Sequence, residues 1–582
     1  MSNMGLHCYH GISDTKKTVR YIDKMLGNTI ANSSFFKQFD FDKGSLFGIC
    51  NWGVFGGLYK KDSISIYFDG YFLDDYKLST EKQLELIHKE FVKGGIEFIK
   101  SRNFFGNILI DTPEKTYIIT PQHTVFYLFL YFEKKSGLFV VAPAPKYIIP
   151  HIYNLSIDKR AIQELFIHEH CLNYKTLIQS INKIAPNKIV IFNKVERKKT
   201  EIDYSTEYWS NTPKISLTNN AKKDAKKINE LFAESVKRCT DIFKNRPLTL
   251  SFSSGTDSSY MLSHMLDAGL KVELCTSNYE TLNEIFDGVF NKLKKLYGDQ
   301  VSVRRVNLPR EKFSLNKIIE TLNNRIDLRE CSSRLYGDWH VYLYYLNKSE
   351  LPCFSDGVLG EAVIGMKRIM WLFRFSRFIR WWIPNNILFK IMSMIHKKTS
   401  ISDYYGVPTD CVQKDNCSFS DDLMFIHDLT LIANRMYGFS NDNCHLSRNV
   451  GEYYLSPFME NDFFRVLMNY PYREKMNYKL YYYLLCEQGH YFNNVLTDNI
   501  ERTVPSSWLG YKFYRFNPFF SEREKFLNNY SSIKNDFLLD YEFTSKYIKD
   551  LEPNDSEKLL KKVSLDLYFK RLKFYKEEFN KA

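Results

Sequence analysis

At 582 residues the chain is too long for one ordinary core, and two or three domains are expected. Hydrophobic content of 44% and charged content of 25% are those of a soluble globular protein, and no run of about 18 uninterrupted apolar residues offers a membrane span. A formal net charge of +13 favours anionic ligands, but over this length it permits nucleic acid rather than indicating it.

The N-terminus, MSNMGLHCYHG, has no basic region followed by an apolar run, so no signal peptide is expected. The 11 cysteines are scattered, the closest pair being Cys411 and Cys417, with no paired metal spacing. Reduced thiols in a cytoplasm fit this usage.

Residues 1 to 155 read as short strands, among them SLFGICNWGVFGG, SISIYFDGYF, GNILIDT, TYIIT and GLFVVAP, with helix near 81 to 100. Alternating apolar residues broken by turn residues predict an α+β domain built on packed antiparallel sheets. Residues 156 to 230 read as a connecting segment: a helix, a turn at Pro186 and Asn187, a strand from Ile189 to Phe192, then a polar, lysine-rich stretch from Lys214 to Asn229 that reads as a linker into a helix.

The stretch PLTLSFSSGTDSSYMLSHMLDAG, residues 247 to 269, predicts a strand, a Ser/Gly-rich turn and an amphipathic helix starting at Asp257 or Ser258. Gly255 lets backbone approach an anion closely, and amides and the positive end of the helix dipole face the same spot. Ser253, Ser254, Thr256, Ser258 and Ser259 complete this candidate phosphate seat, with Gly269 as the C′ residue. Asp257 would repel a phosphate unless a divalent cation lay between them, so it is read as a magnesium ligand. A strand from Lys271 to Ser277, a helix from Leu282 to Tyr297 and a strand from Val301 to Val306 follow, predicting a doubly wound parallel sheet with ligand at the strand C-terminal ends. An adenine would then lie near the backbone of Cys275 to Asn278.

Further on, LPCFSDGVLGEAVIG ends a strand among carboxylates, and MKRIMWLFRFSRFIRWWIP interleaves Arg374, Arg377 and Arg380 with aromatic residues. The second is read as core helix, with a membrane-surface helix as the alternative. Residues 516 to 582 read as a charged helical extension.

SSGTDSS resembles the Ser-Gly-Gly-x-Asp-Ser loop of ATP pyrophosphatases that activate a carbonyl or carboxylate as an adenylate, departing from it at Ser254. The order of segments, with YFDGYFLDD at Tyr67 to Asp75 and SIDKRAIQELFIHEH leading into the second half, resembles the class B asparagine synthetase family, which includes β-lactam synthetases and lasso peptide cyclases. The resemblance implies an N-terminal Ntn-hydrolase-like sandwich at 1 to 155 and an ATP pyrophosphatase domain of the adenine nucleotide α-hydrolase type, with extra helices, at 231 to 515. It also implies that the glutaminase is degenerate. Ser2 follows the initiator Met, Cys8 is the nearest thiol, Asp69 and Tyr71 replace the family's Asn and Glu, and Pro121 and Gln122 stand for its Arg and Asp.

The family's second carboxylate motif can be matched in two ways. Without a gap, Gly360 falls on the metal-binding Asp and Glu361 on the Glu; with one inserted residue, Ser355, Asp356 and Gly357 take the first three positions. Asp356, as a metal ligand beside Asp257, and Glu361, serving the amine, are the preferred pair. Near NVGEYYLSPFMENDFF, the residues Pro457, Phe458, Glu460 or Asn461, and Lys479 match a further block, and Glu452 with Tyr453 or Tyr454 is the candidate pair for deprotonating an amine. Arg502 matches the last motif, whose Lys place holds Val504 or Pro505; Lys512 lies farther along.

The function so implied is an ATP- and Mg2+-dependent ligase that joins a small-molecule or peptide carboxylate to ammonia or a substrate amine through an acyl-adenylate. A non-catalytic binding or assembly protein keeping the fold is the second reading. No nucleic acid or transmembrane segment is expected, and a homo-oligomer is left open.

Overall fold

The computed structural model describes residues 5–26, 36–42, 44–51, 56–121, 127–168, 171, 174–241, 248–252, 256–278, 280–307, 353–355, 360, 363–364, 454–475, 479–489 and 556–582. The fold is mixed α/β, with two antiparallel sheets and one parallel sheet.

The chain opens with β1 (Gly5–His10), α1 (Thr15–Leu26), β2 (Phe36–Asp42), β3 (Ser45–Asn51), β4 (Gly57–Lys61), β5 (Ile64–Phe72) and α2 (Thr80–Gly94). There follow β6 (Phe104–Asp111), β7 (Lys115–Ile119), β8 (Phe129–Glu133), β9 (Leu138–Ala142), α3 (Lys159–His168), β10 (Ile181–Lys183), β11 (Lys188–Asn193), β12 (Lys198–Asp203) and α4 (Ser205–Ser210). One sheet runs β10-β8-β9-β1-β3-β2 and the other β12-β11-β7-β6-β5-β4.

Strand periodicity sorts the side chains into layers. Leu6, Cys8, Ile49 and Val141 of the first sheet meet Tyr67, Leu109, Ile118 and Val190 of the second in one buried cluster, so the expected sandwich of antiparallel sheets is present. Ile66, Phe68, Ile108 and Ile110 turn the other way, onto Leu84 and Ile87 of α2. Tyr9 and Val140 face a third cluster with Tyr21 and Ile22 of α1 and Ile162 and Leu165 of α3. The segment read as a connector thus gives β10 to one sheet and β11 and β12 to the other.

The second half begins with α5 (Ala221–Asp241) and continues through β13 (Leu248–Ser251), α6 (Thr256–Asp267), β14 (Val272–Asn278), α7 (Glu280–Tyr297) and β15 (Val301–Asn307). Later come β16 (Cys353–Ser355), β17 (Tyr454–Leu455), α8 (Asn461–Met468), α9 (Lys479–Glu487) and α10 (Ser556–Lys581). The sheet order is β15-β14-β13-β16-β17, every neighbouring pair parallel. Gly269 has φ +74 and its amide bonds Leu266 O at 2.9 Å, which ends α6 where the sequence predicts.

Two expectations are corrected. The stretch to Asn229 is not all linker: α5 starts at Ala221, and Asn229 is a buried residue of its inner face. Nor is α6 amphipathic, since every residue from Ser258 to Leu266 is buried. It lies between the sheet and α5 and α9, so it has no solvent face to keep polar.

The C-terminal helix α10 is no free extension. It buries Val563, Leu565, Tyr568 and Tyr575 in the cluster shared with α1 and α3. Among the described residues, no helix is long and apolar enough to cross a membrane.

Candidate functional site

Three segments meet at the C-terminal edge of the parallel sheet. β13 carries Leu248 and Leu250 buried in the core and ends at Ser251, where its neighbour on one side is β14 and on the other β16. Chain order reverses between β13 and β16, and the crevice outside such a reversal is where open α/β sheets take ligands. Ser253, Ser254 and Gly255 lie outside the described residues; Thr256 opens α6, with Asp257 in its first turn.

From the β16 side comes Gly360. A Cβ there would fall 2.7 Å from Asp257 Cγ, 2.8 Å from its Oδ1 and 2.8 Å from the Tyr481 hydroxyl. Tyr481, on α9, donates its hydroxyl proton to Asp257 Oδ1. Asp257 itself is half-buried, while Ser258 and Ser259 are buried. Ser259 Oγ has no hydrogen-bond partner among the described residues.

The framework behind this cluster is buried and hydrogen-bonded. Tyr481 is fully buried, its ring edge-on to Tyr260 at 6.0 Å. Tyr260 donates to Asn229 Oδ1 at 2.5 Å, and Asn229 Nδ2 donates to Leu484 O at 3.1 Å, so α5 ties α6 to α9. Burial holds the Tyr260 phenol far above its ordinary range, which keeps it a proton donor. Phe232 stacks on Tyr260 at 4.8 Å and on Phe458 at 4.7 Å, and Ser235 Oγ donates to Pro457 O at 2.6 Å. Pro457 and Phe458 are therefore core.

A magnesium–nucleotide fits the donor set. The groups around the start of α6 are oxygens: the Asp257 carboxylate and the hydroxyls of Thr256 and Ser258. Among the described residues no group of three or more His, Cys, Asp and Glu could hold a metal by itself. Magnesium is commonly held by one or two carboxylates, with substrate phosphates and water filling the other positions. Next door, Phe252 N bonds the Cys275 carbonyl at 2.9 Å, fixing the edge where the sequence expects adenine.

Asp356, Glu361, Glu452 and Arg502 lie outside the described residues, as do Gln122, Lys512, Val504, Pro505 and the arginine-rich stretch after 365. Glu460 is described and is no site acid. It caps α8, its carboxylate accepting from Phe463 N at 2.9 Å, and Lys479 pairs with Glu474 at 2.7 Å. Tyr481 has no local signal: it is one of three consecutive tyrosines, and only the packing of α9 selects it.

In the sandwich, Cys8 sits mid-strand, paired with Phe47 and Val141. Burial pushes its thiol far above the usual range, leaving no thiolate. At the start of β1, a Cβ on Gly5 would meet Pro143 Cβ at 2.8 Å and Asp69 Oδ2 at 3.7 Å, so the residue beside Asp69 carries no nucleophile. Asp69 and Tyr71 flank Gly70, which pairs with Gly106 across β5 and β6, where a Cβ on either would clash with the other strand's backbone.

No family model matches the chain. No curated protein matches it either. Among solved structures, glutamine phosphoribosylpyrophosphate amidotransferase from B. subtilis complexed with ADP and GMP is 10% identical with a TM-score of 0.23, over 61% of this chain and 81% of that one. A structure titled as the allosteric regulatory enzyme of purine biosynthesis is 10% identical with a TM-score of 0.20, over 52% and 75%. Likeness at these scores carries no argument about chemistry.

Proposed function

We propose that the chain is an ATP-dependent amide-forming ligase of the asparagine synthetase type, acting in the cytoplasm. The observation that carries this reading is the position of Asp257, in the first turn of α6 at the point where the order of the parallel sheet reverses. In this reading residues 253 to 259 seat the triphosphate on backbone amides, serine hydroxyls and the helix N-terminus. Asp257 would need a bound magnesium ion beside it, which would supply the positive charge that lets a carboxylate lie near phosphates. Asp257, with Asp356, would hold that ion; a substrate carboxylate would attack the α-phosphate, and pyrophosphate would leave. Arg502 would steady the charge of the departing pyrophosphate, and Glu361 and Glu452 would serve the incoming amine as it attacks the acyl-adenylate and AMP leaves.

The amine is ammonia or belongs to the substrate. This is supported by Gly5 beside Asp69 and by the buried Cys8 thiol, neither of which supplies a glutaminase nucleophile. The first domain then serves as scaffold.

The second reading, a non-catalytic protein that keeps the seat, is favoured by Gly360. In the ungapped match this residue takes the place of a metal-binding acid, and its side-chain space is filled by Asp257. ATP/pyrophosphate exchange with candidate carboxylates separates the two. Exchange that Asp257→Ala abolishes supports the ligase; exchange indifferent to that change refutes the mechanism, and nucleotide binding without any exchange supports the second reading.

A further inference from the structure

We propose that Tyr481 is a positioning residue for Asp257, and that Gly360 is the gap which allows it. This inference rests on residues 253 to 259 being a phosphate seat. The hydroxyl of Tyr481 donates to Oδ1 of Asp257, so that oxygen is committed to the protein. A carboxylate turning freely about its last bond has a broad choice of angles. One pinned through Oδ1 presents Oδ2 in a single direction.

The donor is fixed from a different helix than the one that carries Asp257. Tyr481 is buried on α9, braced edge-on by Tyr260 and held by the Asn229 bonds to Tyr260 and to Leu484 O. Gly360 completes the arrangement from the β16 side. The atoms its Cβ would meet are the Asp257 carboxyl and the Tyr481 hydroxyl, both side-chain ends. A methyl at 360 would part that pair and leave the backbone in place.

Orientation matters most where ligands are few. Magnesium demands nearly ideal octahedral geometry, and residue 360 brings no second acid to share the load. Outer hydrogen bonds to a ligating carboxylate are typically worth about 10- to 100-fold in metal affinity. Tyr481 does not touch substrate, and its effect passes through Asp257.

The test uses the full chain, with Mn2+ followed by loss of its free electron paramagnetic resonance signal in the presence of a non-hydrolysable ATP analogue. Binding of fluorescent ATP is measured separately in EDTA. Asp257→Asn should remove the Mn2+ site. Tyr481→Phe, which keeps the ring and its packing, should weaken Mn2+ about tenfold or more while leaving the protein folded and metal-free nucleotide binding as in wild type. Gly360→Ala should weaken Mn2+ in the same way and covers the case in which Tyr481→Phe fails to fold.

Wild-type Mn2+ affinity in both variants would reduce Tyr481 to core packing. Tighter Mn2+ in Tyr481→Phe would make the hydroxyl a competitor of the ion, and either result overturns the proposal. Nucleotide binding in a protein whose Mn2+ uptake ignores Asp257→Asn defeats this inference alone. A wild-type chain that takes up neither nucleotide nor Mn2+ defeats the phosphate seat as well.

Discussion

Asn103, at the edge of the sandwich, donates its side-chain amide to Oε1 of Glu460 at 2.6 Å, across 357 positions of sequence. The other oxygen of Glu460 caps α8 through Phe463 N at 2.9 Å, and Arg238 of α5 reaches Oε1 at 3.2 Å. One buried carboxylate thus ties the sandwich, α5 and α8 together. Burial, and then the charge of Asp462, push its pKa up, so the bonds that hold it charged matter.

Removing one partner leaves a buried group unsatisfied, which costs about 1–3 kcal/mol. Asn103→Ala should lose that amount in urea titrations. Glu460→Ala, which strips the helix cap and strands Arg238 as well, should lose more. Equal stability of Asn103→Ala and wild type would mean that the joint is held by apolar packing alone.

Three buried histidines each contribute acid sensitivity to the sandwich. Burial, helped by Lys146 at His7 and by Lys194 at His10, lowers those two to about 3, and burial alone lowers His151 to about 4. In the unfolded chain each titrates near 6.5. Below that the unfolded state binds protons that the folded state does not, so stability is full above pH ~6.5 and falls as pH drops towards the folded values.

Each histidine can steepen the fall by about 1.4 kcal/mol per pH unit. The buried carboxyls of Asp111 and Glu460, pushed up by burial, act oppositely, so the comparison is between wild type and variant. His151→Phe, among the rings of Tyr9 and Phe579, should flatten the slope of urea stability between pH 6 and 4.5 by about one proton. An unchanged slope would mean that His151 is protonated in the fold.

What could be read in the sequence was what local chemistry dictates. Leu248 and Leu250 mark their strand and Gly269 the end of its following helix, and the parallel strands from 272 and 301 follow from apolar runs of strand length. The burial of α6 on all sides was not legible, because it is imposed by α5 and α9, one of them some 220 residues away. Tyr481 was hidden among its neighbours for the same reason. Within the connector β11 is legible as the strand from Ile189 to Phe192, but β10 and β12 are concealed, because edge strands are short or, like KKTEID, polar and carry little alternation.

Gly106 offers a sharp test of the sandwich. It has φ +101, and a Cβ there would run into the carbonyl of Asp69 and the Cα of Gly70 opposite. Both obstacles are backbone in the middle of a sheet, so relief requires β5 and β6 to separate. Gly106→Ala should cost about 3 kcal/mol or more, combining left-handed strain with overpacking. A loss under about 1 kcal/mol would show that the two strands are not held at this closeness in solution.

The C-terminal helix α10 packs against α1 near the start of the chain. Phe579 of α10 lies edge-on to Tyr21 of α1 at 5.3 Å and to His151 at 5.0 Å, with Lys17 Nζ over its ring at 4.8 Å. Tyr21 in turn donates to Lys146 O at 2.8 Å, on the backbone leading to His151. Burial alone depresses His151, so uncovering it should release it. Phe579→Ala should raise the His151 pKa from about 4 by ~1 unit or more towards 6.5, followed by proton NMR of the imidazole. If His151 stays at its depressed value while the variant remains folded, α10 is not what keeps water from that face, and α1 and α3 suffice to cover the first sheet.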